Sequence, residues 1–336
     1  LSAANTPMTD IIQGVAGRDH SYFLSGSGYV FSCGKNSFGE LANGTTVDTR
    51  ESTNSFPSKC SLDNEEYEIY PITYSRVQKH NLGFYDPLAN TYINMGNANM
   101  GNVIKTAQGF EHAIIIVFSS GGAFYAYSWG NNIYGERIHT SIWSGGFYGP
   151  TQGIHNVACG NYHSVLMISN DVYTCGLNSS GQLGLGNTTN ANLTQVSSIS
   201  SIQNIFAGGN ASFFVSSTEV YATGFNEQGQ LGIDTEVNTS TPTIVKGVGG
   251  AGTLSASIKD IRVGNRHVMF LTTEGVGYAA GTNDVNQLGV VRSITSSSTP
   301  VVIEELFEDG YSSRPITTPI QKIYTDSLSD KSILIF

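Results

Sequence analysis

Apolar residues recur along this chain in short runs broken by turn residues, and within the runs they often alternate with polar ones. "SVLMISNDVYTCG" (164–176) and "FFVSSTEVYATG" (213–224) are typical. Alternation with a period of two is the mark of β-strands, whereas a surface helix needs apolar positions three and four apart. No long amphipathic helical pattern appears. The longest apolar run, Ala113 to Phe118, is strand-sized and far short of the ~18–20 residues that cross a membrane as a helix.

The runs are organised into a repeat of about fifty residues. A first half carries an apolar strand into Gly-x-x-His and then a second apolar strand. It appears at Gly17/His20, Gly109/His112, Gly160/His163 and Gly264/His267. Gly209 leads a copy with Ser212 in the histidine's place, a degenerate copy surrounds His80, and the last copy puts Lys331 there. A second half ends a strand in Gly-x-Asn-x-x-Gly. Its turn residues are Gly34, Asn36 and Gly39, then Gly130, Asn132 and Gly135, Gly176, Asn178 and Gly181, and Gly224, Asn226 and Gly229. Gly281 and Asn283 lead a copy with Asn286 at the second glycine, and Gly96 and Gly101 a copy with Ala98 for Asn. Glycine and asparagine tolerate positive φ, so these positions predict sharp turns or bulges. Leu183, Leu231 and Leu288, just beyond, are predicted to return to a core. The units start near 11, 70, 104, 154, 202, 258 and 320, and predict one all-β domain over 1–336, a β-propeller of four-stranded antiparallel blades.

Gly-x-x-His-Ser, a strand ending in Cys/Trp-Gly-x-Asn, and Gly-Gln-Leu-Gly-x-Gly together resemble the repeat of the regulator-of-chromosome-condensation family. The likeness is fullest from Ile154 to Val196 and thin over 43–102 and 143–152. The resemblance implies seven blades and a protein-binding platform working through its loops. The family's founding member is a nucleotide-exchange factor for the small GTPase Ran that docks on chromatin. Others are ubiquitin-ligase modules, cytoskeletal or ciliary proteins, and a secreted bacterial inhibitor of β-lactamase. Exchange activity is not carried over, because the repeat encodes no projecting wedge.

Charge and composition narrow the function. Only 12% of residues are charged, the net charge is −10, and no block of Lys or Arg exists to neutralise phosphates, which argues against nucleic acid as a partner. Cys33, Cys60, Cys159 and Cys175 are too few and too scattered for a disulfide framework, and no Cys-x-x-Cys suggests zinc. No P-loop, Gly-x-Ser-x-Gly or His-Glu-x-x-His occurs, and "GVGGAG" (247–252) leads into no helix. The repeated His position also accepts Ser and Lys, so it reads as structural. No enzyme, cofactor or metal is expected. Asn43, Asn187, Asn192 and Asn238 are loop-borne N-glycosylation sequons, whereas Asn178 and Asn210 belong to a turn and a strand. With few lysines and Leu1 in place of an initiator Met, they point to a secreted or luminal protein, the alternative being cytoplasmic or ciliary.

Seven first halves face six second halves. The last, ending at Ser332, Ile333, Leu334, Ile335 and Phe336, is therefore expected to leave a strand edge open to addition. Its occupant is either upstream sequence or an identical subunit bound head-to-tail. Two function classes follow: a non-enzymatic interaction or structural protein, one form of which is a subunit of a filamentous extracellular assembly, or an intracellular regulator such as a GTPase exchange factor or a ligase-associated module.

Overall fold

The computed structural model describes residues 11–16, 19–25, 30–35, 37, 58–59, 83–86, 91–94, 102–118, 124–138, 147–151, 153–254, 257–306, 312–325 and 331–336. Apart from one short 3-10 turn at Val248–Gly250, every regular element among them is a β-strand. The chain forms two compact units, Leu1–Val157 and Ala158–Phe336.

In the first unit, β1 (Ile11–Ala16), β2 (His20–Ser25), β3 (Val30–Gly34) and β4 (Ser58–Lys59) form one sheet in sequence order. β5 (Gly83–Asp86) and β6 (Thr91–Asn94) make a separate hairpin. β7 (Asn102–Gln108), β8 (His112–Phe118), β9 (Phe124–Gly130) and β10 (Phe147–Thr151) form a second four-stranded sheet. The unit boundary falls inside β11 (Ile154–Cys159), which opens the sheet of β12 (His163–Ile168), β13 (Asp171–Gly176) and β14 (Ala191–Gln195). The second unit continues with β15 (Ile202–Gly208), β16 (Ala211–Ser216), β17 (Val220–Gly224) and β18 (Thr239–Ile244). Next come β19 (Ile258–Val263), β20 (His267–Thr272), β21 (Gly277–Thr282) and β22 (Ser296–Val302). Two hairpins close the chain, β23 (Glu304–Leu306) with β24 (Ser313–Pro315), and β25 (Lys322–Tyr324) with β26 (Ile333–Ile335).

Among the described residues the fold is all-β with antiparallel four-stranded propeller blades, and five such sheets stand where seven blades were expected. The repeat predicted from about residue 70 forms no four-stranded sheet among the described residues. The sheets of β1–β4 and β7–β10 pack directly on each other, β7 lying against β1 and β2. β15 lies against β12 in the same way one repeat apart. Among the described residues the stretch from about residue 70 contributes the hairpin of β5 and β6.

Burial explains the strand patterns. The second strand of each repeat is the most enclosed: every residue of Ala211–Ser216 and of His267–Thr272 is buried. First strands alternate, as in Ile154–Cys159, and the fourth strand Ala191–Gln195 is largely exposed. Within the second unit the core lies between successive sheets. Val165, Val196 and Ile202 meet Phe214 in one cluster. Phe213, Leu231 and Val245 meet Ile261 and Phe270 in the next. Met269, Leu288 and Ile303 meet Ile320 and Ile323 in the last. Leu183, Leu231 and Leu288 are fully buried. Burying a Leu or Phe side chain contributes about 1.5–3 kcal/mol, so these between-sheet clusters hold the second unit together more than any one polar contact does.

Candidate functional site

The repeat's polar residues form one construction, clearest in the second unit. Opposite each histidine position stands the turn glycine, His163 against Gly176 and His267 against Gly281. Gly224 shows why glycine is needed. Its φ is +117°, and a Cβ there would sit 2.2 Å from the Asn210 carbonyl oxygen. That approach lets the Phe225 N–H donate to the same carbonyl at 2.8 Å.

The register also corrects one expected position. Ala211, not Ser212, faces Gly224 and occupies the histidine's place. The adjacent Gly208 and Gly209 let the sequence be read one residue out of step. Ser212 stands where Ser164 follows His163.

Two residues beyond the turn glycine, asparagine staples a loop. The Asn178 side-chain oxygen accepts the Leu183 N–H at 2.9 Å, and its Nδ2 donates to the Asn187 and Thr189 carbonyls, both at 2.9 Å. Asn226 does the same with Leu231, Thr235 and Val237, and Asn283 with Leu288, Val290 and Ile294. In the first unit the Asn132 oxygen accepts the Arg137 N–H at 2.9 Å. Gln182, Gln230 and Gln287 each accept an N–H from two residues earlier. Sequence reading passed over these glutamines, whose fixed place before the buried leucine was the available signal. Glu136 holds the equivalent place, accepting the Tyr134 N–H, and burial pushes its carboxyl up from the usual range.

The histidines are enclosed rather than poised for reaction. His163 is fully buried, and burial pushes its pKa down to about 4; His20 is pushed to about 4 by the same cause. The ring of His163 lies on Gly160, where a Cβ would come within 2.0 Å of it, and that of His267 lies on Gly264 at 2.3 Å. Gly-x-x-His is therefore a packing motif. Burial also pushes the Cys159 thiol up to about 12, leaving no thiolate at neutral pH, and raises Cys33. Among the described residues no three His, Cys, Asp or Glu side chains gather as metal ligands.

The structure places Asn187, Asn192 and Asn238 on the surface, while Asn178 is buried. Asn238 lends its side-chain oxygen to the Asn226 N–H at 2.6 Å. Asn36, Gly39, Asn43, Cys60, His80, Gly96 and Gly101 lie outside the described residues. Ile333, Ile335 and Phe336 are 60%, 45% and 57% exposed. Among the described residues β26 pairs with β25 alone.

What differs between repeats is the stretch between the staple and the fourth strand. Gly186 to Asn190 is exposed and neutral. Its counterpart exposes Asp234, Glu236 and Val237, the last at 70%. The next exposes Arg292 and Ser293. Beside the first loop runs an open groove of about 670 Å³, lined by Leu185, Asn187, Thr189, Gln195, Ser198 and Thr241 among others.

Models of the regulator of chromosome condensation (RCC1) repeat match residues 169–215 and 218–271, and, in a second form, 11–40 and 154–182. The chain is RCC1-like, carrying RCC1 repeats over these residues. Its fold is similar to that of human WBSCR16, at a TM-score of 0.60 and 19% identity over 89% of this chain and 67% of that one. It is likewise similar to Prp20p from Saccharomyces cerevisiae, a structure described together with its binding properties to Gsp1p and histones. There the TM-score is 0.53 and the identity 17%, over 88% of this chain and 77% of that one. Yeast RCC1 (Prp20) with Kap60 bound gives 0.57 and 17%, over 95% and 78%. At such identities the likeness concerns the fold. None of these three supports the expected secreted or luminal location. Among the described residues, no helix is long and apolar enough to cross a membrane.

Proposed function

We propose that this RCC1-repeat chain is a non-enzymatic protein-binding module, acting as an intracellular regulator through the loops that join staple to fourth strand. One observation carries the reading. The turn asparagines and the glutamines that follow them are consumed by hydrogen bonds inside the fold, while the exposed loops at one fixed repeat position are neutral, acidic and basic in turn. A scaffold held constant beneath loops of changing chemistry suits recognition of a protein surface. Prp20p, with its binding to Gsp1p and histones, supports a small GTPase or a basic nuclear protein as the partner class. The net charge of −10 favours encounter with a basic protein.

The test is calorimetric titration of the purified chain with a Gsp1p-type GTPase and, separately, with histones. Saturable binding to one of them, weakened about tenfold or more by Val237→Lys with the melting temperature unchanged, is the expected result. Binding to neither protein, or affinity untouched by the loop change, contradicts it.

A second reading concerns β26, whose exposed Ile333 and Ile335 favour strand addition by an identical subunit. Light scattering of the native chain beside Ile333→Lys checks it. Assemblies lost in the variant support addition, and a wild-type monomer refutes it.

A further inference from the structure

Successive sheets of the second unit are joined by a polar key. His163 Nε2 lies 2.9 Å from Ser212 Oγ, and that hydroxyl donates to the Gln182 carbonyl at 2.8 Å. One junction further on but one, His267 Nε2 lies 2.8 Å from Ser332 Oγ, which donates to the Gln287 carbonyl at 2.9 Å. The hydroxyl proton goes to the carbonyl, so each imidazole must carry its hydrogen on Nε2. The intervening junction has neither partner. Ala211 replaces the histidine, Val268 replaces the serine, and both belong to one apolar cluster. Replacing both partners of a buried hydrogen bond leaves nothing unsatisfied and is nearly neutral.

The first unit holds a third version. β7 lies against β1 and β2, so the β7–β10 sheet follows the β1–β4 sheet directly. His20 therefore stands in the place of His163, and Ala113, directly after His112, stands in that of Ser212. Half of the key is present. The His20 ring is 3% exposed and neither ring nitrogen has a hydrogen-bond partner. Other contacts cross the junction: Gln108 Nε2 donates to the His20 carbonyl at 3.0 Å, and Trp129 Nε1 to the Tyr22 hydroxyl at 2.6 Å. Their counterpart in the second unit is the Thr223 hydroxyl, which reaches the Gly181 carbonyl. The Lys35–Glu111 pair at 3.1 Å is partly solvated, and such pairs contribute little. A buried group deprived of its partner costs its full desolvation penalty, worth about 5- to 100-fold in an opening equilibrium.

We propose that the junction between the β1–β4 and β7–β10 sheets is the hinge of the fold, the place where it opens first, because it alone of the junctions described keeps the histidine of the key without the hydroxyl. Departures from a protein's own structural rule mark places set aside for movement or function.

Hydrogen exchange of the full chain, followed by mass spectrometry, tests this. In the wild type, β1, β2 and β7 exchange about tenfold or more faster than β12 and β15. Ala113→Ser supplies the missing hydroxyl and slows β1, β2 and β7 about tenfold, leaving β12 and β15 unchanged. Ser212→Ala creates the same half-key in the second unit and speeds β12 and β15 by a similar factor. The proposal is overturned if the wild-type order is reversed or absent, if folded Ala113→Ser exchanges no more slowly, or if Ser212→Ala changes nothing. Should Ala113→Ser fail to fold, the wild-type order and Ser212→Ala decide.

Discussion

Gly160 and His163 illustrate how much of this protein is settled by single side chains. An imidazole laid on a glycine leaves no room for a methyl group, since a Cβ at Gly160 would stand 2.0 Å from the ring and 2.8 Å from the Gly209 carbonyl oxygen. Gly160→Ala is expected to lower stability by about 2 kcal/mol or more, in the range of strain from overpacking, as measured by thermal unfolding. Gly186→Ala is the control. That glycine also has positive φ but nothing within 4 Å, so only about 1 kcal/mol of backbone strain is expected. Burial of His163 has a pH consequence. Its folded pKa of about 4 lies below the ordinary 6.5, so the unfolded chain binds the extra proton between these values. The resulting stability is fully present above pH 6.5 and lost as pH falls toward 4, by about 3 kcal/mol at most. Urea midpoints measured from pH 7 to 4 should fall accordingly, and should fall less in folded His163→Ala. The chain's own histidine pattern already argued for structure over catalysis, because the position tolerated other residues. The glycine's role beneath the ring was not legible, since it depends on a close approach across a turn.

At the scale of elements, strands and turns were readable because alternation and the Gly-x-Asn spacing are local. The asparagine staple was visible only as a turn residue. Its reach of about ten residues, from Asn226 to the Thr235 and Val237 carbonyls, needs the folded loop. Asn226→Ala removes three hydrogen bonds around a buried side chain and should cost about 2–4 kcal/mol, at about 1 kcal/mol or more for each group left unsatisfied. Thermal unfolding gives the total, and faster hydrogen exchange at Leu231 locates it. Asn226→Asp keeps the acceptor and loses both donated bonds, so its cost exposes the staple's share. The one-residue slip at Ser212 has a plain cause. Glycine spacing is cheap to reproduce by chance in a chain with 39 glycines, whereas register is fixed by which apolar side chains reach the core.

For the molecule as a whole, the family and the all-β class were legible, and the blade count was not. Among the described residues five four-stranded sheets stand against the seven blades inferred from resemblance. Function was legible only as a class, because partner choice resides in exposed loops that obey no repeat. The charge balance still gives a testable consequence. Association of this chain with a basic protein should weaken as salt rises from low to physiological strength, through a slower on-rate more than a faster off-rate. Stopped-flow binding at several ionic strengths separates the two.

The central claim is that the repeat's histidines build the scaffold and leave recognition to the loops. Its most direct test is an NMR titration of the labelled histidines with assignment of His163. The account predicts a neutral ring at pH 7, hydrogen on Nε2, and a pKa near 4. A ring that titrates near 6.5, or that carries its hydrogen on Nδ1, would place it in solvent or in another bond network and contradict the account.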